Sequence, residues 1–165
     1  MLIVRRGLNL VTQLAMMVAG AGMLAMMLLV VLDVTCKYLF HQPIQGTLEI
    51  VSFYCMAACT FLPFAYVQKL EDHIAMTLAT ERMPAAALRI LIVIVYLFSA
   101  AYLILFAVAS ATEAAQMTQV GESTTAINAD ILVWPARWFV PIGTALMACW
   151  MVLQALMLLW RSEHV

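Results

Sequence analysis

DVTCKYLFHQPIQGTLE, residues 33–49, is a polar island between two long apolar runs. It holds an acid at each end, with a Lys, a His, a Pro and a Gly between, in a chain of which only 10% is charged. A continuing helix would put Asp33 and Lys37 on one face, four residues apart, where they can pair. Tyr38 and Phe40 suit a membrane interface. Pro43 and Gly46 break the helix, Thr47 can cap the next one, and Glu49 falls in its first turn, where the helix dipole favours an acid. The island therefore reads as the turn of a helical hairpin or as a docking surface outside a membrane.

Working outward, the apolar runs on either side are two of four. Gly7–Leu32, Ile50–Gln68, Ile90–Thr112 and Trp138–Trp160 carry no Asp, Glu, Lys or Arg. Each has the roughly 19 residues that cross a hydrocarbon core of about 30 Å as a helix. The 165 residues are 66% hydrophobic, with a mean hydropathy of +1.02. A soluble domain of this size could not cover so much apolar surface with so few charges. Nothing alternates as a barrel strand would, and lipid offers no partner to an exposed backbone. The expected fold is an all-α membrane protein, a single domain over 1–165 with spans near 9–32, 48–68, 86–112 and 136–160. The first run follows Arg5 and Arg6 as a signal peptide's would. Its apolar part, Leu14–Leu32, is too long for one, so a retained anchor helix is expected.

Orientation follows from the cations. With the N-terminus inside, Arg5, Arg6, Lys69, Arg82, Arg89 and Arg161 collect on the cytoplasmic side, against Lys37 and Arg137 outside. This bias puts both termini in the cytoplasm and the island outside. The net charge of −1 gives no basic excess for nucleic acid, so membrane lipids are the expected surroundings.

Between the second and third spans, KLEDHIAMTLATERMP (69–84) mixes Leu70, Ile74 and Met83 with Glu71, Asp72, His73, Glu81 and Arg82. A short amphipathic helix on the cytoplasmic surface is expected there, with His73 and Arg82 as interface residues. Past the third span, Gln116–Asp130 is rich in turn formers around Gly121 and Glu122 and reads as an irregular external loop or a helix break. Small residues mark close-packing faces: Ala15, Ala19, Gly20, Ala21, Gly22 and Ala25 in the first span, and Ala107, Ala111 and Ala115 in the third. Pro63 is expected to kink the second span. Pro141 and Gly143 sit one turn inside the fourth, and Trp134, Pro135, Arg137 and Trp138 mark its entrance.

Chemistry is harder to find. Cys55 and Cys59 are four apart on a helix, poorly placed for a disulfide, and Cys36 and Cys149 lie elsewhere. The methionines of the first span read as packing filler. His41, His73 and His164 are scattered and none lies inside a span, which argues against haem. No nucleophile–base pair or phosphate loop is present. The few polar residues noted in the spans are Thr60, Ser99, Thr144 and Gln154, and no charge lies there. A transporter moving ions or charged solutes needs intramembrane polar sites, so this chain reads as an accessory rather than a pathway. A four-helix membrane thiol or quinone oxidoreductase and a self-assembling membrane scaffold remain as alternatives.

Several short motifs share one order. Asp33-Val34…Lys37-Tyr38 follows the first span, Glu49 opens the second, His73-Ile74 follows it, Met83-Pro84 steps into the third and Pro141-Ile142-Gly143 lies in the fourth. This order resembles the small, DctQ-like membrane subunit of tripartite ATP-independent periplasmic (TRAP) transporters, across essentially the whole chain. Lys37 stands where the family more often has Arg, and Leu62-Pro63 where it often has Leu-Gly. The resemblance implies a bacterial inner-membrane protein that is not an enzyme and has two partners. One is a large multi-span permease subunit with an elevator-like cycle, which would hold the sodium and substrate sites, so that no cofactor is expected in this chain. The other is a periplasmic solute-binding protein delivering an organic acid, a carboxylate or a sialic-acid-like compound. Asp33, Lys37, Tyr38, Glu49 and Glu122 are the expected periplasmic docking residues. Ala107, Ala111, Pro141 and Gly143 are the expected packing residues.

Overall fold

A computed structural model describes residues 2–42, 44–70, 84–126 and 129–160. Four helical stretches are long and apolar enough to cross a membrane: Arg5–Phe40, Thr47–Leu70, Ile90–Val120 and Trp134–Leu159. Phe98, Leu105 and Tyr102 are 78%, 71% and 63% exposed, which water would penalise and lipid does not. The chain is an all-α membrane protein with one small β-hairpin. The segment 71–83, with the expected amphipathic helix, His73 and Arg82, lies outside the described residues, as do Pro43 and 161–165.

Helix α1 is Leu2–Phe40, 39 residues, or about 58 Å at 1.5 Å per residue. It overshoots the hydrocarbon core, so its last eight residues, from Asp33, form an overhang. His41 ends it at φ 55°, in the left-handed region that His tolerates better than most non-glycine residues. The buried side of α1 steps through Thr12, Ala15, Ala19, Gly22, Met26 and Leu29. That alternation of three and four is the 3.5-residue repeat of helices crossing at a shallow angle.

The second span is assembled from pieces. Helix α2 (Thr47–Ile50) runs into a π-helical turn, Val51–Cys55, then α3 (Met56–Phe61) and α4 (Phe64–Leu70). The break between α3 and α4 falls at Leu62-Pro63, where proline cannot donate and its ring crowds the preceding turn. Thr47 is not a side-chain cap: Gly46, at φ 85°, holds the N-cap position, and the Thr47 hydroxyl donates back to the Ile44 carbonyl at 3.1 Å. A left-handed cap needs glycine's freedom, and this moved the helix start off the threonine.

Helix α5 (Ala85–Val120, 36 residues) also overshoots, to about 54 Å. It is followed by strands β1 (Ser123–Ala126) and β2 (Ala129–Leu132), paired antiparallel with Ser123 opposite Leu132. The irregular loop expected over 116–130 is thus helix, then hairpin. The short helix α6 (Trp134–Arg137) leads into α7 (Phe139–Trp160). Helix α7 is the hub, packed by α5 on one side and by α3 and α4 on the other, while α1 lies against α3. Its middle is accordingly the most enclosed of the four spans, with Ala148, Trp150, Met151 and Ala155 all buried.

Candidate functional site

Among the described residues, the overhanging end carries most of the polar side chains outside the spans. Asp33 does not pair with Lys37. Its Oδ1 accepts the backbone N–H of Ile44 at 2.7 Å, tying the turn back onto α1, while Lys37 and Tyr38 are exposed. An orphan backbone donor beyond a helix end competes well for a carboxylate, because such a bond is charge-assisted and needs only a short side chain to be ordered. Glu49 is half-buried in the first turn of α2.

The hairpin is anchored at its base by Glu122. Helix α5 ends in a Schellman motif: Gly121 turns left-handed at φ 66°, its N–H reaching the Thr118 carbonyl and that of Glu122 reaching Met117. The Glu122 carbonyl then accepts the Val133 N–H at 2.9 Å. Its carboxylate takes both a Nε and an Nη2 donor from Arg137, the latter at 2.6 Å. This is the only ion pair among the described residues. The Arg137 hydrogen bond holds the Glu122 carboxyl below its ordinary pKa, burial opposing only in part. Tyr54, in the π-helical turn, donates its hydroxyl to the Leu132 carbonyl at 2.6 Å. A π turn inserts one extra residue into the helix and so re-aims the side chains beyond it. Here it accompanies a tether from the second span to strand β2.

Inside the spans, the Pro63 break and Gly143 meet. A Cβ on Gly143 would lie 2.2 Å from the Phe61 carbonyl oxygen and 2.6 Å from its carbon. Helix α7 therefore rests backbone to backbone on the end of α3, which only glycine allows. Pro141, two residues before it, is buried. Ala107 is 8% exposed, and the fully enclosed positions on α5 are Ala100 and Ala114, seven residues either side. Ala111 is half-buried. Ala107 and Ala111 face α7 across an open apolar groove of about 720 Å³ that runs from Ala111 and Pro141 to Leu8 and Leu156.

Two polar contacts stitch the other end of the bundle, joining Gln154 to Gln68 and Trp150 to Thr12; to Gln68, Trp150 and Thr12 the sequence alone assigned no role. Gln68 is 1% exposed. Its Nε2 donates to Gln154 Oε1 at 2.6 Å, and Gln154 Nε2 returns a bond to the Gln68 carbonyl at 3.0 Å. Trp150 Nε1 donates to Thr12 Oγ1 at 2.9 Å, and that hydroxyl donates to the Leu8 carbonyl. Pairing between helices is the only way such groups can sit in lipid. Their signal was the position of Gln68, which ends an otherwise apolar run.

The four cysteines are free, and Cys59 Sγ donates to the Ala19 carbonyl at 3.4 Å. Among the described residues no three His, Cys, Asp or Glu side chains cluster as metal ligands would. The described site is thus a structural surface: a pinned platform at one end of the bundle, a close-packed middle and a groove along α5 and α7. No curated protein matches the chain. The family model described as "Tripartite ATP-independent periplasmic transporters, DctQ component" matches residues 26–162, reaching into all four spans, and the chain belongs to that family.

Proposed function

We propose that the chain is the small subunit that scaffolds the large permease subunit of a sodium-coupled TRAP transporter for an organic acid, in a bacterial inner membrane with both termini cytoplasmic. The observation that carries this reading is the pairing of family membership with two buried polar contacts, Gln68–Gln154 and Trp150–Thr12, that are spent between helices. The Gln68–Gln154 and Trp150–Thr12 contacts hold helices together and line no path. Sodium and substrate belong to the partner chain, and the periplasmic binding protein brings the solute. In this reading the large subunit seats a helix in the groove along α5 and α7. The groove spans Pro141 to Leu156, about 22 Å of helix rise, and Ala107, Ala111, Ala145 and Ala148 leave its floor low enough for close helix approach. The overhang with Lys37, Tyr38 and Glu49, beside the Glu122 hairpin, is the proposed docking face for the binding protein; Asp33 supports that face by fixing its turn.

Co-purification tests the assignment. Ala111→Leu and Ala145→Leu fill the groove without entering a packed contact. They are expected to lose the large multi-span partner while thermal unfolding of the isolated subunit stays within a few degrees. Full retention of the partner in both variants would remove the groove from the interface. Charge reversal of Lys37 together with Glu49 is expected to lower uptake with assembly intact; wild-type uptake would remove the docking role.

A further inference from the structure

At the end of the bundle opposite the hairpin, a cleft of about 270 Å³ is lined by Arg5, Arg6, Asn9, Lys69 and Trp150. We propose that this cleft binds the phosphate of an anionic membrane phospholipid. Three observations point to that ligand. The first is charge: three cations from two different spans converge on one cleft, and every described carboxylate lies at the far end of the bundle or in its hairpin. Cations so gathered repel one another unless an anion sits among them. The second is an unmet polar atom. Asn9 Oδ1 is buried with no hydrogen-bond partner. An amide whose oxygen lacks a partner inside a basic cleft can flip to turn its NH2 toward a bound oxyanion. The third is depth. Arg5 and Arg6 immediately precede the charge-free run that starts at Gly7, and Lys69 closes the run that ends at Gln68, so all three sit at the level of the headgroups.

The surroundings suit a lipid better than a free ion. On α1, Arg6, Leu10 and Leu14 follow one another at four-residue steps, and Leu10 and Leu14 are 62% and 55% exposed. They form an apolar track leading from the cleft into the bilayer, along which an acyl chain can lie. The Lys69 ammonium is held 5.4 Å over the Tyr66 ring, which fixes its position without neutralising it. Trp150 lends an aromatic edge, its N–H already committed to Thr12. Arg5, Arg6 and Asn9 precede residue 26, where the family match begins, so three of the five lining residues lie outside the matched stretch. The inference does not depend on the proposed transport role.

The test uses the full chain, delipidated in detergent, with thermal unfolding followed as lipid is added. A ligand that binds only the folded state raises the melting temperature with its concentration. Short-chain phosphatidylglycerol is expected to raise it, and phosphatidylcholine and inorganic phosphate at equal concentration to do so far less. Each cation near an anionic headgroup is worth about fivefold in affinity. The Arg5→Ala, Arg6→Ala, Lys69→Ala triple variant should therefore need on the order of a hundredfold more phosphatidylglycerol. Asn9→Asp should weaken binding as well, whereas Lys37→Ala, a cation lost at the other end, should not. Arg5→Lys with Arg6→Lys should keep the response, which separates charge from damage to the helix. An equal response in the triple variant and the wild type overturns the site. Equal shifts from inorganic phosphate and phosphatidylglycerol overturn the lipid as its occupant.

Discussion

Replacing Gly143 by Ala tests the central packing claim with a single methyl group. The added Cβ would stand 2.2 Å from the Phe61 carbonyl oxygen, where an ordinary carbon–oxygen contact needs about 3.3 Å. The overlap of about 1 Å is against backbone on both sides, so no rotamer change relieves it and α7 must move away from α3. Overpacking of this kind costs about 1–3 kcal/mol, with fixed backbone favouring the upper end. Ala in a helix interior returns about 1 kcal/mol relative to Gly. The net expectation is a loss of about 2 kcal/mol, or about 4–8 °C in melting temperature for a chain of this length. The control is Gly20→Ala, since a Cβ there would meet nothing within 4 Å; it should be neutral or slightly stabilising. Both are read by thermal unfolding of the purified subunit in one detergent. If Gly143→Ala tracks Gly20→Ala, propensity alone decides the outcome and the close approach of α7 to the Pro63 break is wrong.

Two further outcomes follow from the polar contacts. Gln154→Leu removes both bonds to Gln68 and strands a buried amide. It should destabilise by about 1–2 kcal/mol in thermal unfolding, and the Gln68→Leu, Gln154→Leu pair should recover part of that loss. For Glu122 the folded pKa lies below the ordinary one because Arg137 binds its charged form. Its contribution is therefore complete above the ordinary carboxylate range and is lost as pH falls through the depressed value. The wild type should lose more melting temperature than Glu122→Gln on acidification into that window, and parallel curves would discount the pair.

The sequence carried the spans well because each rests on a physical requirement that leaves a local trace. A charge-free run of bilayer length admits one reading, and Pro63 interrupts its helix wherever that helix lies. Features that depend on two distant residues left almost none. Asp33 has Lys37 at helical spacing, yet the Ile44 N–H reaches it first, and nothing in the composition of 33–49 reveals where the turn folds back. The hairpin was missed because its strands are four residues each, too short for alternation to stand out beside the glycine and hydroxyl residues around them. On α5 the most enclosed small residues, Ala100 and Ala114, lie seven residues either side of Ala107, while Ala111 lines the groove with it. A seven-residue and a four-residue repeat drawn through Ala107 both land on alanines, and only the partner helix decides between them.

The platform made by the 33–49 turn and the hairpin is tied down in three separate places: Asp33 to the Ile44 amide, Glu122 to Arg137, and Tyr54 to Leu132. A partner docking on flexible loops must first order them, and preorganisation removes that cost. Tyr54→Phe isolates one tie, since it deletes a hydroxyl, leaves every exposed charge in place and lies outside the packed core. A single hydrogen bond contributes about 0.5–1.5 kcal/mol, so the melting temperature of the whole subunit should fall by only about 1–6 °C. Local opening of the hairpin should nonetheless rise by up to about tenfold, because 1.4 kcal/mol corresponds to a factor of ten. Hydrogen exchange at the amides of β1 and β2, compared with those of α5, reads that difference directly. Faster exchange confined to the hairpin, with weaker capture of the binding protein, is the expected pair of results. Unchanged exchange would mean that the Schellman turn and the Glu122–Arg137 pair hold the strands by themselves, and that the π-helical turn in the second span does not serve the platform.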